Sequence, residues 1–156
     1  MSPAAFIAMV GPAARASAAL TNIPASFTLA QAALESGWGT SRTALMAHNL
    51  FNIKADPSWH GPTYSMPSTE HIDGKDVVLP AAWRMYPDFK GCIDDRARFF
   101  GENPRYAACF RETTGEGWAR AVAAAGYATD PDYAAKVIAT MHSHNLLQFD
   151  ITPEKS

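Results

Sequence analysis

The spacing of apolar residues predicts that most of the chain is helical. Near the N-terminus, Ser2 can cap a helix that has Pro3 in its first turn, because serine accepts a backbone N–H there and proline has none to satisfy. Apolar residues, many of them alanine, continue this pattern to about residue 20. Pro12 lies inside it, and we expect the helix to kink or restart there, since a helix interior uses the amide hydrogen that proline lacks.

A second apolar helix is predicted from about residue 24, in the string ASFTLAQAALES. Phe27, Ala30 and Leu34 recur at intervals of three and four residues, so they fall on one face of this helix. Gly37 follows the string and is expected to end the helix. The helix therefore carries Glu35 close to its C-terminal end.

Residues 63–86 have a different pattern, which predicts a β-hairpin. Two strand-like strings flank Asp73 and Gly74, and Asp-Gly is a strong hairpin signal because both turn positions tolerate a positive φ. A two-residue turn at this place would set Glu70 opposite Val77. Two prolines in the strands leave gaps in the hydrogen-bond ladder, so we expect an irregular, edge-exposed hairpin.

Helical patterns resume after the hairpin. Thr113 and Glu116 have the spacing of a capping box, and Gly126 is expected to stop the helix that follows. The Asp-Pro pair at 130–131 opens a last helix. The apolar positions that mark the inner faces of these helices are Phe89, Cys92, Ile93 and Phe100, then Trp118 and Val122, and finally Tyr133, Val137 and Met141.

Together these elements predict an α+β domain that is mainly α-helical and has one inserted β-hairpin. A helical body with a hairpin beside a cleft resembles the lysozyme-like plan, although a fold by itself assigns no chemistry. No internal repeat or low-complexity linker divides the 156 residues. We therefore expect one domain over residues 1–150 and a short tail over 151–156.

Composition and charge argue against several classes of protein. The net charge is −2 and the basic residues are scattered, whereas nucleic-acid binding draws on clustered phosphate contacts. No apolar run approaches the roughly 20 residues of a membrane span, and the N-terminus lacks the basic residues that open a signal peptide. The five histidines show no ligand spacing, so we predict no metal and no cofactor.

Glu35 is the strongest candidate for chemistry. It stands near the C-terminal end of an apolar helix and is followed by Gly37, Trp38 and Gly39. The negative end of a helix dipole and apolar neighbours both disfavour an anion, so we expect the pKa of this carboxyl to be raised. Glycoside cleavage needs such an acid, because the leaving oxygen must receive a proton near neutral pH. Taken alone, Glu35 also fits a surface glutamate in helix-forming sequence.

Five strings in a fixed order carry a family resemblance. They are QAALESGWGTS at 31–41, NLFNIK at 49–54, STEHIDG at 68–74, NPRYAA at 103–108 and AGYATDPDYA at 125–134. With them the chain closely resembles glycoside hydrolase family 73, the endo-β-N-acetylglucosaminidases, and in particular the muramidase-type domain of the flagellar rod-assembly proteins. The likeness extends from about residue 5 to about residue 145. It implies that residues 1–150 form a lysozyme-like glucosaminidase catalytic domain.

The resemblance also implies roles for three residues. Glu35 matches the catalytic acid of the family, and Glu70 matches a second carboxylate on the hairpin, which would orient water or steady the developing oxocarbenium charge. Substrate-assisted cleavage through the N-acetyl group is the rival mechanism, in which Glu70 is only a solvated strand residue. Tyr133 matches a tyrosine that lies near the N-acetyl group, and it fits the core face of the last helix equally well.

Five further residues are candidates for contact with the glycan or for support of the cleft. Trp38, Phe51 and Trp59 offer flat apolar faces on which sugar rings stack, and Trp59 is the one expected to be exposed, because its neighbours are polar. Asn49 is expected to tie the loop after Glu35 through side-chain to backbone bonds. Tyr106 is expected to support the cleft wall.

These features predict a peptidoglycan hydrolase that cuts the β-1,4 bond after N-acetylglucosamine. Alternatives are a muramidase or lytic transglycosylase with the same acid, and a catalytically silent module that binds wall glycan or assists assembly. A Cys/His nucleophile is a stronger rival than metal chemistry, but Cys92 and Cys109 fall on apolar helical positions where cysteine acts as a small hydrophobe. Whether these two cysteines pair is left open by the sequence.

The expected partner is the peptidoglycan glycan strand, met by a monomer in the periplasm or outside the cell. A route across the inner membrane would then be needed, such as phage lysis or a secretion system, or the chain is an excised domain. A secreted effector would also have an immunity or delivery partner.

Overall fold

The structure is a computed structural model that describes residues 1–151. Of the predicted tail, the residues after Ile151 lie outside the described part of the chain. The helices are α1 (Pro3–Thr21), α2 (Ala25–Ser36), α3 (Arg42–Ala47), α4 (Phe89–Glu102), α5 (Gly115–Ala124) and α6 (Tyr133–Ser143), with two 3₁₀ segments at Pro104–Arg111 and Leu146–Asp150, and the strands are β1 (Thr63–Ile72) and β2 (Lys75–Arg84). This arrangement confirms the mainly helical α+β fold with one inserted hairpin.

Helix α1 begins where the sequence predicts. The Ser2 hydroxyl accepts the backbone N–H of Ala5 at 3.1 Å, which is the ordinary bond of an N-terminal cap. The helix runs through Pro12 to Thr21 as one element, so the prediction of a restart is wrong. Pro12 is exposed, and its ring therefore stays outside the packed face.

The same helix corrects the prediction that no segment has the length of a membrane span. Its 19 residues include a window of mean hydropathy 1.3, which is long and apolar enough to cross a membrane by length and composition. One face of α1 nevertheless lies in the core, where Phe6, Val10 and Ala14 are fully buried. It packs against α2 and α4, so in this structure it is a helix of the domain.

Helix α2 is the central helix of the domain and is buried along most of its length. It contacts α1, α5, α6 and the C-terminal 3₁₀ segment. Phe27 and Ala30 are fully buried as predicted, but Leu34 is 38% exposed, because the last turn of the helix emerges from the core. Gly37 ends the helix in the left-handed conformation, and its N–H donates to the carbonyl of Ala33.

A distant residue caps the other end of α2. Pro24 stands at the N-cap position and offers no side-chain bond. Instead, Asp150 Oδ1 accepts the backbone N–H of Ser26 at 2.8 Å, and Asp150 Oδ2 accepts the Ser26 hydroxyl at 2.5 Å. The carboxylate thereby satisfies a free N–H of the first turn and lies at the positive end of the helix dipole.

The hairpin has the predicted register. Glu70 pairs with Val77, and the turn at Asp73 and Gly74 has a positive φ at both positions. Pro67 lies directly opposite Pro80, so both gaps in the ladder fall at one place. Most of the hairpin surface is exposed or half-buried.

The segment after α3 joins the hairpin to the helical body. Ala55 N–H donates to the carbonyl of Ala82 at 2.8 Å, and Arg84 N–H donates to the carbonyl of Ile53 at 3.1 Å. Lys54 forms an isolated antiparallel bridge with Trp83. These bonds add a short third strand-like piece along β2, which the sequence pattern did not predict.

The last helices follow the predicted pattern with small shifts. Thr114, not Thr113, caps α5 by accepting the N–H of Gly117 at 3.0 Å, which moves the predicted cap by one residue. Helix α6 begins two residues after Pro131. Its predicted face is confirmed, since Tyr133, Val137 and Met141 are all buried.

Candidate active site

Glu35 lies in the last turn of α2, where the helix leaves the core, and its side chain is partly buried. The turn that follows holds Gly37, Trp38 and Gly39 at positive φ. Two side chains donate hydrogen bonds to the glutamate. Tyr133 Oη lies 3.3 Å from Oε1, and Asn52 Nδ2 lies 3.0 Å from the backbone carbonyl of Glu35 and 3.5 Å from its Oε2.

The surroundings of Glu35 favour the protonated form. Burial raises the pKa of the carboxyl above its ordinary value, and the hydrogen bonds from Asn52 and Tyr133 oppose this rise only in part. Desolvation therefore dominates, because an anion loses more hydration on burial than two long hydrogen bonds return. A carboxyl of this kind holds a proton to higher pH than a free glutamate does, as the sequence predicted.

A line of buried polar side chains stands behind Glu35. Gln31 lies one turn earlier on α2, and its Nε2 donates to Tyr133 Oη at 2.9 Å. Arg96, on α4, donates from Nη1 to Gln31 Oε1 at 2.7 Å and from Nη2 to the hydroxyl of Thr28. The line connects helices α2, α4 and α6 immediately beneath the glutamate.

Arg96 is an unusual member of this line because its charge is buried without a carboxylate partner. It is 1% exposed, and within residues 1–151 no acidic side chain forms an ion pair with it. Its guanidinium carbon lies 4.7–5.4 Å from the ring centroids of Phe51, Phe100 and Phe27. Burial lowers the pKa of Arg96 to about 10, so the group stays a cation at neutral pH.

Glu70 has the opposite electrostatic surroundings. It lies on β1 with a side chain that is 39% exposed, and Lys54 Nζ lies 2.5 Å from its Oε1. The Ser68 hydroxyl donates to the same oxygen at 3.0 Å. The hydrogen bond from Lys54, followed by that from Ser68, lowers the pKa of Glu70, so the pKa values of Glu70 and Glu35 are shifted in opposite directions.

The strand-like piece at 52–54 reaches both carboxyls. Asn52 donates to Glu35, and Lys54 pairs with Glu70. Two residues of extended chain span at most about 7 Å between their Cα atoms. The residues that contact the two carboxyls therefore lie two positions apart in one short segment, with the hairpin on one side and α2 on the other.

Glu35, Glu70 and Tyr133 are identifiable from the sequence, whereas Asn52, Gln31 and Arg96, which surround Glu35 and Tyr133, were not predicted. Asn52 stands within the string NLFNIK. Gln31 precedes Glu35 by four residues, so Gln31 and Glu35 lie on one face of α2. That spacing was the one signal available for Gln31. Arg96 gave no signal, because an arginine inside a helical string normally indicates a solvated face.

The three aromatic residues predicted to stack on sugar rings differ in exposure. Phe51 is 4% exposed and lies under Arg96. Trp38 is half-buried and packs against Phe6 and against His144, whose ring centroids lie 5.7 and 4.4 Å away. Of the three, Trp38 follows Glu35 most closely in sequence and retains a partly open face.

Trp59 corrects an expectation, since it is half-buried rather than exposed. Its ring packs on Tyr86 with the centroids 5.5 Å apart, and Arg84 lies over it at 5.1 Å. Its indole N–H donates to the carbonyl of Pro62 at 2.9 Å. These contacts use Trp59 to hold the loop before the hairpin.

Asn49 and Tyr106, the two candidates expected to hold the loop and the cleft wall, are both buried. The Asn49 amide donates to the carbonyls of Ile53 and Arg84, both at 2.9 Å, and accepts the N–H of Ile53 at 3.0 Å. It therefore ties the loop after Glu35, as its side chain was expected to do. Tyr106 is 2% exposed and packs among the rings of Phe100 and Tyr127, so it supports the cleft from behind.

A cavity of about 250 Å³ opens beside Asn52 and Arg96. It is lined by residues of the 51–54 piece, by Arg84 and Asp56 from the hairpin side, and by Arg96, Phe99 and Tyr127 from the helical body. Larger hollows lie on the outer hairpin surface and beside Asp150. The smaller cavity is lined by Asn52, which donates to Glu35, and by Lys54, which pairs with Glu70, whereas neither residue lines the larger hollows.

The two cysteines do not form a nucleophilic site. Both are free and buried, and burial raises the pKa of the Cys92 thiol to about 12. A thiol of this kind is protonated at neutral pH and is a poor nucleophile. Residues 1–151 also contain no group of three or more His, Cys, Asp or Glu side chains placed to hold a metal ion.

A helical body, an inserted hairpin and a half-buried glutamate of raised pKa define the class of lysozyme-like glycoside hydrolases. The chain belongs to the glucosaminidase family, described as mannosyl-glycoprotein endo-β-N-acetylglucosaminidase, whose sequence profile matches residues 11–146. This match confirms the resemblance to glycoside hydrolase family 73.

Named relatives agree with this assignment. The chain is similar to the peptidoglycan hydrolase FlgJ of Vibrio parahaemolyticus, with 39% identity over 141 residues that cover 88% of this chain and 46% of that protein. The chain spans slightly less than half the length of the curated relatives it matches.

Solved structures share the fold. A C-terminally truncated glycoside hydrolase domain from Salmonella typhimurium FlgJ has a TM-score of 0.79 and 34% identity, covering 92% of this chain and 98% of that one. The catalytic domain of the autolysin Auto from Listeria monocytogenes has a TM-score of 0.85 and 29% identity, covering 95% and 87%. The predicted lysozyme-like fold is thus confirmed.

Proposed function

We propose that this chain hydrolyses the β-1,4 glycosidic bond after N-acetylglucosamine in peptidoglycan, with Glu35 as the general acid. One observation carries the proposal. Two carboxyls attached to the 52–54 piece have pKa values shifted in opposite directions, upward for Glu35 and downward for Glu70. Opposed shifts of a pair of carboxyls are the usual arrangement for one acid and one carboxylate in glycoside cleavage.

In this mechanism Glu35 gives its proton to the leaving glycosidic oxygen as the bond breaks. Developing positive charge on the sugar ring is then steadied by the ionised Glu70, which also orients the attacking water. The ion pair with Lys54 supports the role of Glu70 as the carboxylate, because it favours the deprotonated form of Glu70.

Tyr133 contributes by holding the acid. Its hydroxyl donates to Glu35 and accepts from Gln31, so the carboxyl has one preferred orientation before substrate arrives. A contact between the phenol and the N-acetyl group of the substrate would add to this role, since positioning of reacting groups lowers the barrier. Trp38 is the aromatic residue that we propose to stack on a sugar ring.

The glycan strand of peptidoglycan is the proposed partner, met in the periplasm or outside the cell. The similarity to a peptidoglycan hydrolase and to an autolysin supports this location. A delivery or immunity partner belongs to the same proposal if the chain acts as a secreted effector. We expect the domain to work as a monomer.

Mass spectrometry of digested peptidoglycan tests the proposed bond. Products that end in reducing N-acetylglucosamine are expected. A reducing muramic end would instead indicate a muramidase, an anhydro-muramic end a lytic transglycosylase, and no released product a silent binding module. Each of these three results would contradict the proposal.

The variant Glu35→Gln tests the acid, because it keeps the size of the side chain but cannot deliver the proton. We expect the rate of glycan release to fall by about 10²–10⁴-fold, the usual contribution of a general acid. Glu102→Gln is the matched control, since Glu102 is an exposed glutamate at the end of α4. A Glu35→Gln rate within tenfold of the parent would exclude Glu35 as the acid.

A further inference from the structure

The polar side chains behind Glu35 form hydrogen bonds that all run in one direction. Arg96 donates to Gln31, Gln31 donates to Tyr133, and Tyr133 donates to Glu35, at 2.7, 2.9 and 3.3 Å. Gln31 and Tyr133 each accept from the residue behind them and donate to the residue ahead. The line ends on the oxygen Oε1 of the proposed acid.

The donor and acceptor atoms of the side chains determine the direction of the hydrogen bonds, beginning with Arg96. A guanidinium carries only donors, so the atom of Gln31 that faces it must be the carbonyl oxygen. The amide nitrogen of Gln31 must then face Tyr133, and an amide nitrogen accepts no hydrogen bond. Tyr133 Oη therefore accepts from Gln31, and its one hydrogen is left to point at Glu35.

We propose that Arg96 and Gln31 are positioning residues that lock the Tyr133 hydroxyl as a donor to Glu35, so that the proton of Glu35 is directed to the substrate. This inference rests on the proposed role of Glu35 as the acid. A protonated Glu35 has two places to point its hydrogen, the open cleft or the phenol oxygen. Pointing at the phenol would displace the phenol hydrogen, which then has no acceptor, since Gln31 offers only N–H.

The burial of Arg96 supports this role. An unpaired buried cation is costly, and apolar side chains usually fill such a place at least as well. Arg96 is fully enclosed, stacks on three phenylalanine rings and leaves its Nε without a partner. Its bonds to Thr28 and Gln31 are the polar contacts that remain, and the second one sets the direction of the line.

Few titratable or charged groups near Glu35 could affect its protonation. Tyr133 from α6 and Tyr127 from the preceding loop are the titratable groups that interact with it. Asn52, on the opposite side, is neutral, and its nitrogen faces the Glu35 carbonyl. Arg96 is the nearest fixed charge in the line and lies behind Gln31, so it acts on Glu35 through hydrogen-bond direction.

The substitution Gln31→Glu reverses the line while preserving its shape. The introduced carboxylate accepts from Arg96 and also accepts from Tyr133, so the phenol hydrogen turns away from Glu35 and the phenol oxygen becomes an acceptor for the Glu35 proton. We expect the alkaline limb of the pH profile of kcat/KM to move up by about one pH unit. A ¹³C NMR titration of the Glu35 carboxyl should move by the same amount.

Two variants separate direction from charge. Thr28→Asp places a carboxylate on the other arm of Arg96, away from Tyr133, and should move the limb by less than half as much. In a Tyr133→Phe background, Gln31→Glu should produce no more shift than Thr28→Asp does. Equal shifts from Gln31→Glu and Thr28→Asp, or persistence of the full shift with phenylalanine at position 133, would overturn the proposal.

The result for Glu35→Gln keeps the two proposals distinguishable. If that variant is inactive while Gln31→Glu leaves the limb and the NMR titration unchanged, the acid stands and the positioning line is refuted. If Glu35→Gln is active, the proposed function itself fails. Should Gln31→Glu not fold, Arg96→Met replaces it, because the freed amide can turn its oxygen to the phenol. The same upward shift is then expected, and its absence would refute the line.

Discussion

Asp150 caps the helix that carries Glu35, although 124 residues separate it from its partner Ser26. The substitution Asp150→Ala removes two acceptors, one for the Ser26 N–H and one for its hydroxyl. Loss of a helix cap costs about 1 kcal/mol, and a lost side-chain hydrogen bond costs a similar amount. Asp150 is itself exposed, so water replaces part of both bonds.

The free energy of unfolding should therefore fall by about 1–2 kcal/mol. For a domain of this size the melting temperature should drop by about 2–8 °C. Asp150→Asn keeps an acceptor but loses the charge at the helix N-terminus, so its effect should be about half as large. Urea unfolding followed by circular dichroism measures all three proteins.

The rate of the folded enzyme should not change, because Asp150 and Glu35 stand at opposite ends of α2. A helix of 12 residues is about 18 Å long. Asp132→Ala is the matched control, since Asp132 occupies the N-cap position of α6 without making a side-chain cap bond. The reasoning is refuted if Asp150→Ala is as stable as Asp132→Ala, or if it loses activity while remaining folded.

Two further predictions concern pH. Glu35→Gln should be more stable than the parent at neutral pH, because the folded-state pKa of Glu35 is raised and the parent loses stability as pH rises through that value. Urea unfolding at pH 4 and pH 8 checks this, and an equal difference between the two proteins at both pH values would contradict it. Lys54→Met should raise the pKa of Glu70, whose depression comes first from its hydrogen bond with Lys54, and so shift the acidic limb of the kcat/KM profile to higher pH. Lys90→Met, which removes an exposed ion pair on α4, is the control, and an unmoved acidic limb would exclude an ionised Glu70 from the mechanism.

The elements that sequence predicted well are those with a local cause. Asp73 and Gly74 specify a tight turn by their own backbone preferences, and the turn then fixes the pairing of Glu70 with Val77. Gly37 ends α2 for the same kind of reason. The raised pKa of Glu35 was also foreseeable, because the apolar string before Glu35 predicts a buried helix and burial disfavours the carboxylate anion.

The parts that sequence did not predict depend on contacts between distant residues. Asn52 reaches Glu35 across 17 positions and Arg96 reaches Gln31 across 65, and no local period records either contact. Trp59 stands in a polar string yet packs against Tyr86. A helical pattern gives the face of a residue but not the element that covers it, which is why burial and partners had to come from the structure.

The division of the site between two supports has a consequence for how it can change. Glu35 and its hydrogen-bonding partners belong to the helical body and to the 52–54 piece, while Glu70 stands on a hairpin that most of the domain does not touch. Insertions near the hairpin turn at Asp73 and Gly74, away from the bonds that join β2 to residues 53–55, would alter the second carboxylate and the rim of the cleft without disturbing the proton donor. The hairpin is therefore the natural place to graft new glycan specificities onto an unchanged acid, both in evolution and in protein engineering.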